Sequence, residues 1–181
     1  MNVKKTTLPG VLILEPNIFS DQRGFFLETY NEKELAESGI TERFVQDNQS
    51  FSKRNVLRGL HYQIPHSQGK LVRAISGEIF DVALDLRRKS PTFGQWYGMH
   101  LSAESRLSLW IPADFAHGFR VLSESAEVLY KTTDFYHPEC ERTILWNDPE
   151  LAIEWGPGPE PVLSDKDRKG VLFREAEAFE K

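Results

Sequence analysis

The feature that most restricts this chain is a recurrence of short apolar runs, rich in β-branched and aromatic residues, each closed by Gly, Pro, Asn or Asp. "GVLILEP", "GFFLETY", "KLVRAISG", "EIFDVALDLR", "FGQWYGMHLS", "RLSLWIP", "HGFRVLS" and "EVLYKTTDFY" all fit it. Runs this short and this regularly punctuated predict strands in an all-β sandwich or barrel. "EIFDVALDLR" is the clearest: Phe80, Val82, Leu84 and Leu86 share one face, while Ile79, Asp81, Ala83, Asp85 and Arg87 share the other. That second, mixed face is expected to be solvated rather than to line a polar cavity.

Outside the strands, "NEKELAESG" (31–39) reads as a short helix ending at Gly39, and "GPGPEP" as loop. No linker precedes residue 156. One domain over 1–181 is expected, with a partly helical, solvent-facing C-terminal appendage from about 156 packed on the β domain. A net charge of −5 argues against a nucleic-acid coat, and no apolar run is long enough for a membrane span or signal peptide. The lone Cys140 excludes an internal disulfide and suits a reducing cytoplasm.

Chemistry concentrates in four strings. In "NVLRGLHYQ", Arg58 and His61 interrupt a passable strand. Three residues apart, they would face opposite ways on a regular strand, so a bulge at Gly59 is expected to turn both inward. His61 itself has three readings: metal ligand, base, or core histidine satisfied by its neighbours. A metal-binding barrel strand usually carries H-x-H, and "HYQ" lacks the second imidazole; His61, His117 and a carboxylate remain a three-ligand alternative. In "IPADFAHGF", Asp114 and His117 fall on a tight turn after Pro112, where a histidine is normally exposed. In "LYKTTDFYHPECER", Tyr130, Tyr136, Glu141 and Arg142 alternate with small polar residues, and strand tyrosines mostly pack. In "SDKDRKG", Ser164 and Asp167 match a helix capping box; the alternative is that Asp167 orients an imidazole, with Asp81 as the second choice for that task.

In one order, "DQRGFFLETY", "FVQDNQSFSKRNVLRGLHYQ", "QGKLVRAISGEIFDVALDLRRKSPTFGQWYG", "LWIPADFAHGF", "LYKTTDFYHPECERTILWNDP" and "LSDKD" resemble the dTDP-4-dehydrorhamnose 3,5-epimerase family over nearly the whole chain. The resemblance implies a cupin-like jelly roll (double-stranded β-helix) with short peripheral helices. It implies epimerisation of a dTDP-linked 4-keto-6-deoxyhexose at both carbons flanking the ketone, with neither metal nor redox cofactor. Matching by position, His61 would be the base, Asp167 its orienting carboxylate and Tyr130 the proton donor. Substrate contacts would fall to Arg23, Glu28, Gln46, Asp47, Asn48, Arg58, Lys70, His117, Tyr136, Glu141 and Lys166, with Tyr136 on the thymine and Lys70 near the keto oxygen. A homodimer is implied, with Arg23 and Glu28 serving the partner's pocket. "GFFLETY" fits this, placing Phe25 and Phe26 on opposite strand faces. The rival readings are a single-centre epimerase, a metal-dependent cupin and a non-catalytic sugar-nucleotide binding module.

Overall fold

A computed structural model describes residues 1–181. Thirteen strands form in chain order: β1 (Asn2–Lys5), β2 (Leu12–Glu15), β3 (Ile18–Asp21), β4 (Gly24–Leu27), β5 (Gln46–Lys53), β6 (Leu57–Gln63) and β7 (Lys70–Ser76). Then follow β8 (Glu78–Asp85), β9 (Trp96–Ser102), β10 (Ser108–Ile111), β11 (Phe115–Val121), β12 (Ser125–Thr132) and β13 (Glu141–Thr143). Two short helices, α1 (Glu32–Glu37) and α2 (Asp165–Arg168), lie at the periphery.

The strands make two antiparallel sheets in a cupin-like jelly roll. One runs β1-β2-β10-β7-β12-β5 and the other β13-β6-β11-β8-β9, while β3 and β4 form a separate hairpin. Apart from β1–β2 and β8–β9, neighbours within each sheet are not consecutive in the chain, so the jelly roll closes through long-range pairing.

Side-chain parity explains what each sheet faces. Val72, Ala74 and Val128 of the first sheet meet Ile79, Ala83, Phe115, Phe119 and Val121 of the second in the layer between them. The outer face of the second sheet presents Leu60, Val82, Leu84 and Ala116 to Trp155, Phe173, Ala176 and Phe179 from the C-terminal segment. Burying each Leu, Val or Phe among them contributes about 1.5–3 kcal/mol. That segment packs on the β domain through its apolar residues at 173, 176 and 179, while most of its other residues are exposed, and only four residues of it are α-helical.

The mixed face of β8 differs from expectation for the same reason. Its apolar face is taken up by the C-terminal segment, so Asp81 and Asp85 point between the sheets and are fully buried. Asp85 is satisfied there by Arg87, Ser90 and Thr92.

Helix α1 starts where Asn31 Oδ1 accepts from the Lys33 and Glu34 N–H groups, and it ends before Gly39 at φ +90°. Its Leu35 packs with Leu14, Leu71 and Trp110 on the outside of the first sheet. No helix is long and apolar enough to cross a membrane.

Candidate active site

Between the sheets, at one end, a cavity of about 340 Å³ opens to solvent. Gln46, Asn48 and Ser50 reach it from β5, Lys70 from β7 and Tyr130 from β12. Across from them stand Arg58, His61 and Gln63 of β6, His117 and Phe119 of β11, and Glu141 of β13.

The bulge decides how β6 contributes. His61 pairs with His117 and Arg58 with Phe119, so Gly118 alone faces both Gly59 and Leu60. Gly59 has φ +131°, and a Cβ there would lie 2.5 Å from the Gly118 Cα. Only glycine fits. The extra residue restores inward parity, and both Arg58 and His61 line the cavity.

His61 Nε2 lies 2.5 Å from Asp167 Oδ1. The carboxylate is held in turn: Ser164 Oγ donates to Oδ2 at 2.7 Å, and the Gly59 N–H reaches Oδ1 at 3.4 Å. Ser164 also accepts from the Asp167 N–H as the N-cap of α2, so capping and orienting are served by one residue pair. Burial opposes the Asp167 charge, but the contacts with His61, Ser164 and Gly59 outweigh it and keep its pKa below the usual carboxylate value. Burial also lowers the His61 pKa; Asp167 pulls it back up, while Lys166 and Lys70 push it further down. With its Nε2–H donated to Asp167, a neutral imidazole keeps its lone pair on Nδ1, as a base requires.

Tyr130 lies in the same cavity, and burial raises its phenol pKa, with Arg58 working against the rise. Lys70 is almost fully buried and donates to the His61 carbonyl at 3.2 Å. Desolvation lowers its pKa to about 8 despite Asp81 and Glu141 nearby. At the mouth, Glu141 accepts from Lys166 Nζ at 2.7 Å and from the Tyr136 hydroxyl at 3.1 Å. Gln46 donates to Asn48 and accepts the Tyr136 N–H, which ties the Tyr136 backbone to β5. Arg58, Lys70 and Lys166 give the cavity a basic lining suited to an anion on an acidic protein.

Three residues matched by the resemblance are not brought to this cavity. Asp47 points away, since alternate residues of β5 face outward, and it pairs with Lys131 at 2.8 Å. Arg23 and Glu28 sit on and just after the β3–β4 hairpin, both exposed, with Arg23 bound to Asp21. His117 is not on a turn: the turn ends at Asp114, with φ +73°, and β11 begins at Phe115. His117 is buried and bonded through Nε2 to Asp81 at 2.8 Å, so a second histidine–carboxylate pair stands beside the first. Each of the two imidazoles is thus bonded through Nε2 to a carboxylate of its own. Ser50, Gln63, Gln68 and Phe119 also line the cavity; the parity of Gln46 and Asn48 marks Ser50, and that of His61 marks Gln63.

A jelly roll that sets a half-buried imidazole on a buried carboxylate, and a phenol, around one basic cavity has the parts of an isomerase that works by moving protons. Comparison with known proteins agrees. Residues 5–175 match the model of the dTDP-4-dehydrorhamnose 3,5-epimerase family. The dTDP-4-dehydrorhamnose 3,5-epimerase of Pseudomonas aeruginosa is 59% identical over 180 residues, covering 99% of each chain. The fold superposes with TM-score 0.95 on dTDP-6-deoxy-D-glucose-3,5-epimerase RmlC from Legionella pneumophila Philadelphia 1 in complex with dTDP-4-keto-L-rhamnose. That pair is 51% identical, over 97% of this chain and 94% of the other. The dTDP-4-dehydrorhamnose 3,5-epimerase from Bacillus anthracis, with TDP and PPi bound, gives TM-score 0.92 at 46% identity, over 95% and 99% of the two chains. The chain belongs to the dTDP-4-dehydrorhamnose 3,5-epimerase family.

Proposed function

We propose that this enzyme converts dTDP-4-dehydro-6-deoxy-D-glucose into dTDP-4-dehydro-L-rhamnose by inverting C3 and C5. The observation that carries the reading is the shared cavity of the His61–Asp167 pair and Tyr130. The C4 ketone acidifies the protons on both flanking carbons. His61 Nδ1 takes one of them, the C–H electron pair moves into the ring, and an enolate forms with its charge on O4. Lys70 stands in the buried part of the cavity as the cation for that oxyanion. The Tyr130 hydroxyl gives a proton to the opposite face of the same carbon and is reprotonated from water, while His61 returns its proton to solvent. Repeating the sequence at the other carbon completes the conversion. Only protons move, so no electron acceptor is needed.

Binding roles are assigned from the family resemblance, and the cavity lining supports them. Arg58 and Lys166 are the cations for the diphosphate, Tyr136 is the platform for the thymine, and Gln46, Asn48, His117 and Glu141 contact the remaining polar groups. The ligands named for the Legionella and Bacillus relatives support this choice of substrate.

The functional unit in this reading is a homodimer. Phe19, Phe25 and Phe26 on the hairpin are each more than half exposed, an apolar surface that a second copy would cover. Arg23 and Glu28 would then reach the partner's cavity. The cytoplasm is the compartment proposed, consistent with a single buried cysteine. Proton NMR of the 4-keto sugar nucleotide with the enzyme in heavy water tests the function: deuterium is expected at both C3 and C5. Incorporation at one carbon makes the enzyme a single-centre epimerase.

A further inference from the structure

Outside the cavity, on its rim, two loops meet. One joins β6 to β7 and carries His66; the other joins β12 to β13 and carries Asp134 and His137. One ligand atom from each of these three side chains lies within 4.8 Å of the other two. The imidazoles of His66 and His137 stack with centroids 4.1 Å apart and planes 19° apart, and Asp134 Oδ2 is 3.2 Å from His66 Nδ1.

The proton-transfer reaction uses none of these three groups, yet their backbones are firmly fixed. Gln63, 3% exposed, donates through Nε2 to the carbonyls of His66 and Phe135 and accepts the His137 N–H through Oε1. One buried amide therefore holds both loops in register. It also stabilises the left-handed backbone at His66, φ +64°, which a non-glycine residue seldom adopts. Gln68 adds a bond to the Asp134 carbonyl, and the Phe135 N–H takes Asp134 Oδ1, which leaves Oδ2 directed at the imidazole. The carboxylate of Glu139 stands 3.4 Å from His137 Nδ1, the place usually taken by the outer carboxylate behind a metal-ligating histidine. With that nitrogen donating to Glu139, Nε2 keeps the lone pair. Neither Asp134 nor Glu139 is paired with a lysine or arginine; histidine is the only cationic partner of each.

We propose that His66, Asp134 and His137 form a binding site for a divalent transition-metal ion of the zinc class, separate from the catalytic pair. Two imidazoles and one carboxylate are the donor set such ions prefer over calcium or magnesium. A tetrahedral ion with bonds near 2.0–2.1 Å separates its ligand atoms by about 3.4 Å. The side chains must close in by up to about 1.4 Å, and the two stacked rings must turn apart so that their planes converge on the ion, because each lone pair lies in its ring plane. Bound there, the ion links the two loops beside Tyr136, which lies between Asp134 and His137 in sequence and lines the cavity. The site does not depend on the assignment of substrate.

The test is calorimetric titration of the chelator-stripped full chain with Zn²⁺, repeated with Ni²⁺. One ion per chain is expected. His66→Ala and His137→Ala should each weaken binding by more than about a hundredfold, and Glu139→Gln about tenfold. His61→Ala and His117→Ala should leave affinity and stoichiometry as in the parent. Thermal melts without metal, unchanged in the rim variants, separate a lost ligand from a lost fold. As an independent readout, sub-stoichiometric Zn²⁺ should shift the ring resonances of His66 and His137 before any other histidine. The inference is overturned if the parent binds only at millimolar Zn²⁺, if the rim variants bind as tightly as the parent, or if the ion is lost with His61 or His117 instead.

Discussion

His61 and Asp167, 106 residues apart in the chain, meet at 2.5 Å, His61 lining the cavity and Asp167 standing behind it. A carboxylate in this position fixes the tautomer of the imidazole and favours its protonated form during turnover. Asp167→Asn keeps the shape and removes the charge. It should lower kcat on the order of a hundredfold while dTDP binding stays within a factor of about two. Steady-state kinetics with calorimetry of dTDP checks the split; an equal loss in both would assign Asp167 to structure alone.

Tyr130→Phe separates proton removal from proton delivery. With His61 intact, the substrate should still exchange its ring protons for deuterium, but with retention, because the opposite face has lost its donor. NMR in heavy water should show washout outpacing epimer formation, whereas His61→Ala should show neither. Turnover that persists in both variants would make the cavity a binding site without acid–base catalysis.

Lys70 connects pH to both activity and stability. Burial lowers its pKa from 10.5 to about 8, so its charge is lost in the folded enzyme above that pH. kcat/KM should therefore fall above pH 8, with the acid limb lying below 6.5, because burial also lowers the His61 pKa. Stability should move the other way. Between pH 8 and 10 the unfolded chain keeps a proton that the folded state has released, so the folded state gains as pH rises, by roughly 3 kcal/mol at most. Denaturant melts of the parent referenced to Lys70→Met, taken across that interval, measure the gain.

Arg58 reaches the cavity with its Nε bonded to Ser52 Oγ at 3.0 Å. Arg58→Ala should weaken dTDP binding roughly ten- to a hundredfold, the range for a charge-assisted hydrogen bond. The deficit should shrink as salt is raised. A deficit indifferent to salt would locate the damage in the fold rather than in the diphosphate contact.

The β3–β4 hairpin can be tested by a single charge. Phe26→Asp, at a position 65% exposed, should yield monomers in sedimentation velocity and a loss of activity matching that of Arg23→Ala. Dimers that persist with full activity would remove the hairpin from the interface.

The alternation in "EIFDVALDLR" was readable because strand parity is local; what covered each face was not. Asp81 looked solvated because its partner, His117, arrives from a strand 36 residues on. His117 itself looked like a turn residue because Pro112 and Asp114 do make a turn, and the strand resumes within one residue of it. The Gly59 bulge was foreseeable from the conflict between Arg58 and His61, since only an inserted residue can reconcile their parity. Asp47 matched a family position, yet β5 alternation turns it outward beside Lys131. Packing of the C-terminal segment on the β domain was expected, but not the residues that do it: Phe173, Ala176 and Phe179 are too few, and too irregularly helical, to show a periodicity.

The carboxylate behind His61 belongs to α2, which follows the last strand and is anchored by aromatic residues downstream of it. During synthesis, every strand of the barrel has left the ribosome before this piece can dock. The strands that line the cavity thus precede in synthesis the one segment that both supplies Asp167 to His61 and covers the outer face of the second sheet. Loss of this stretch would therefore take away the carboxylate partner of His61 and uncover the apolar outer face of the second sheet together.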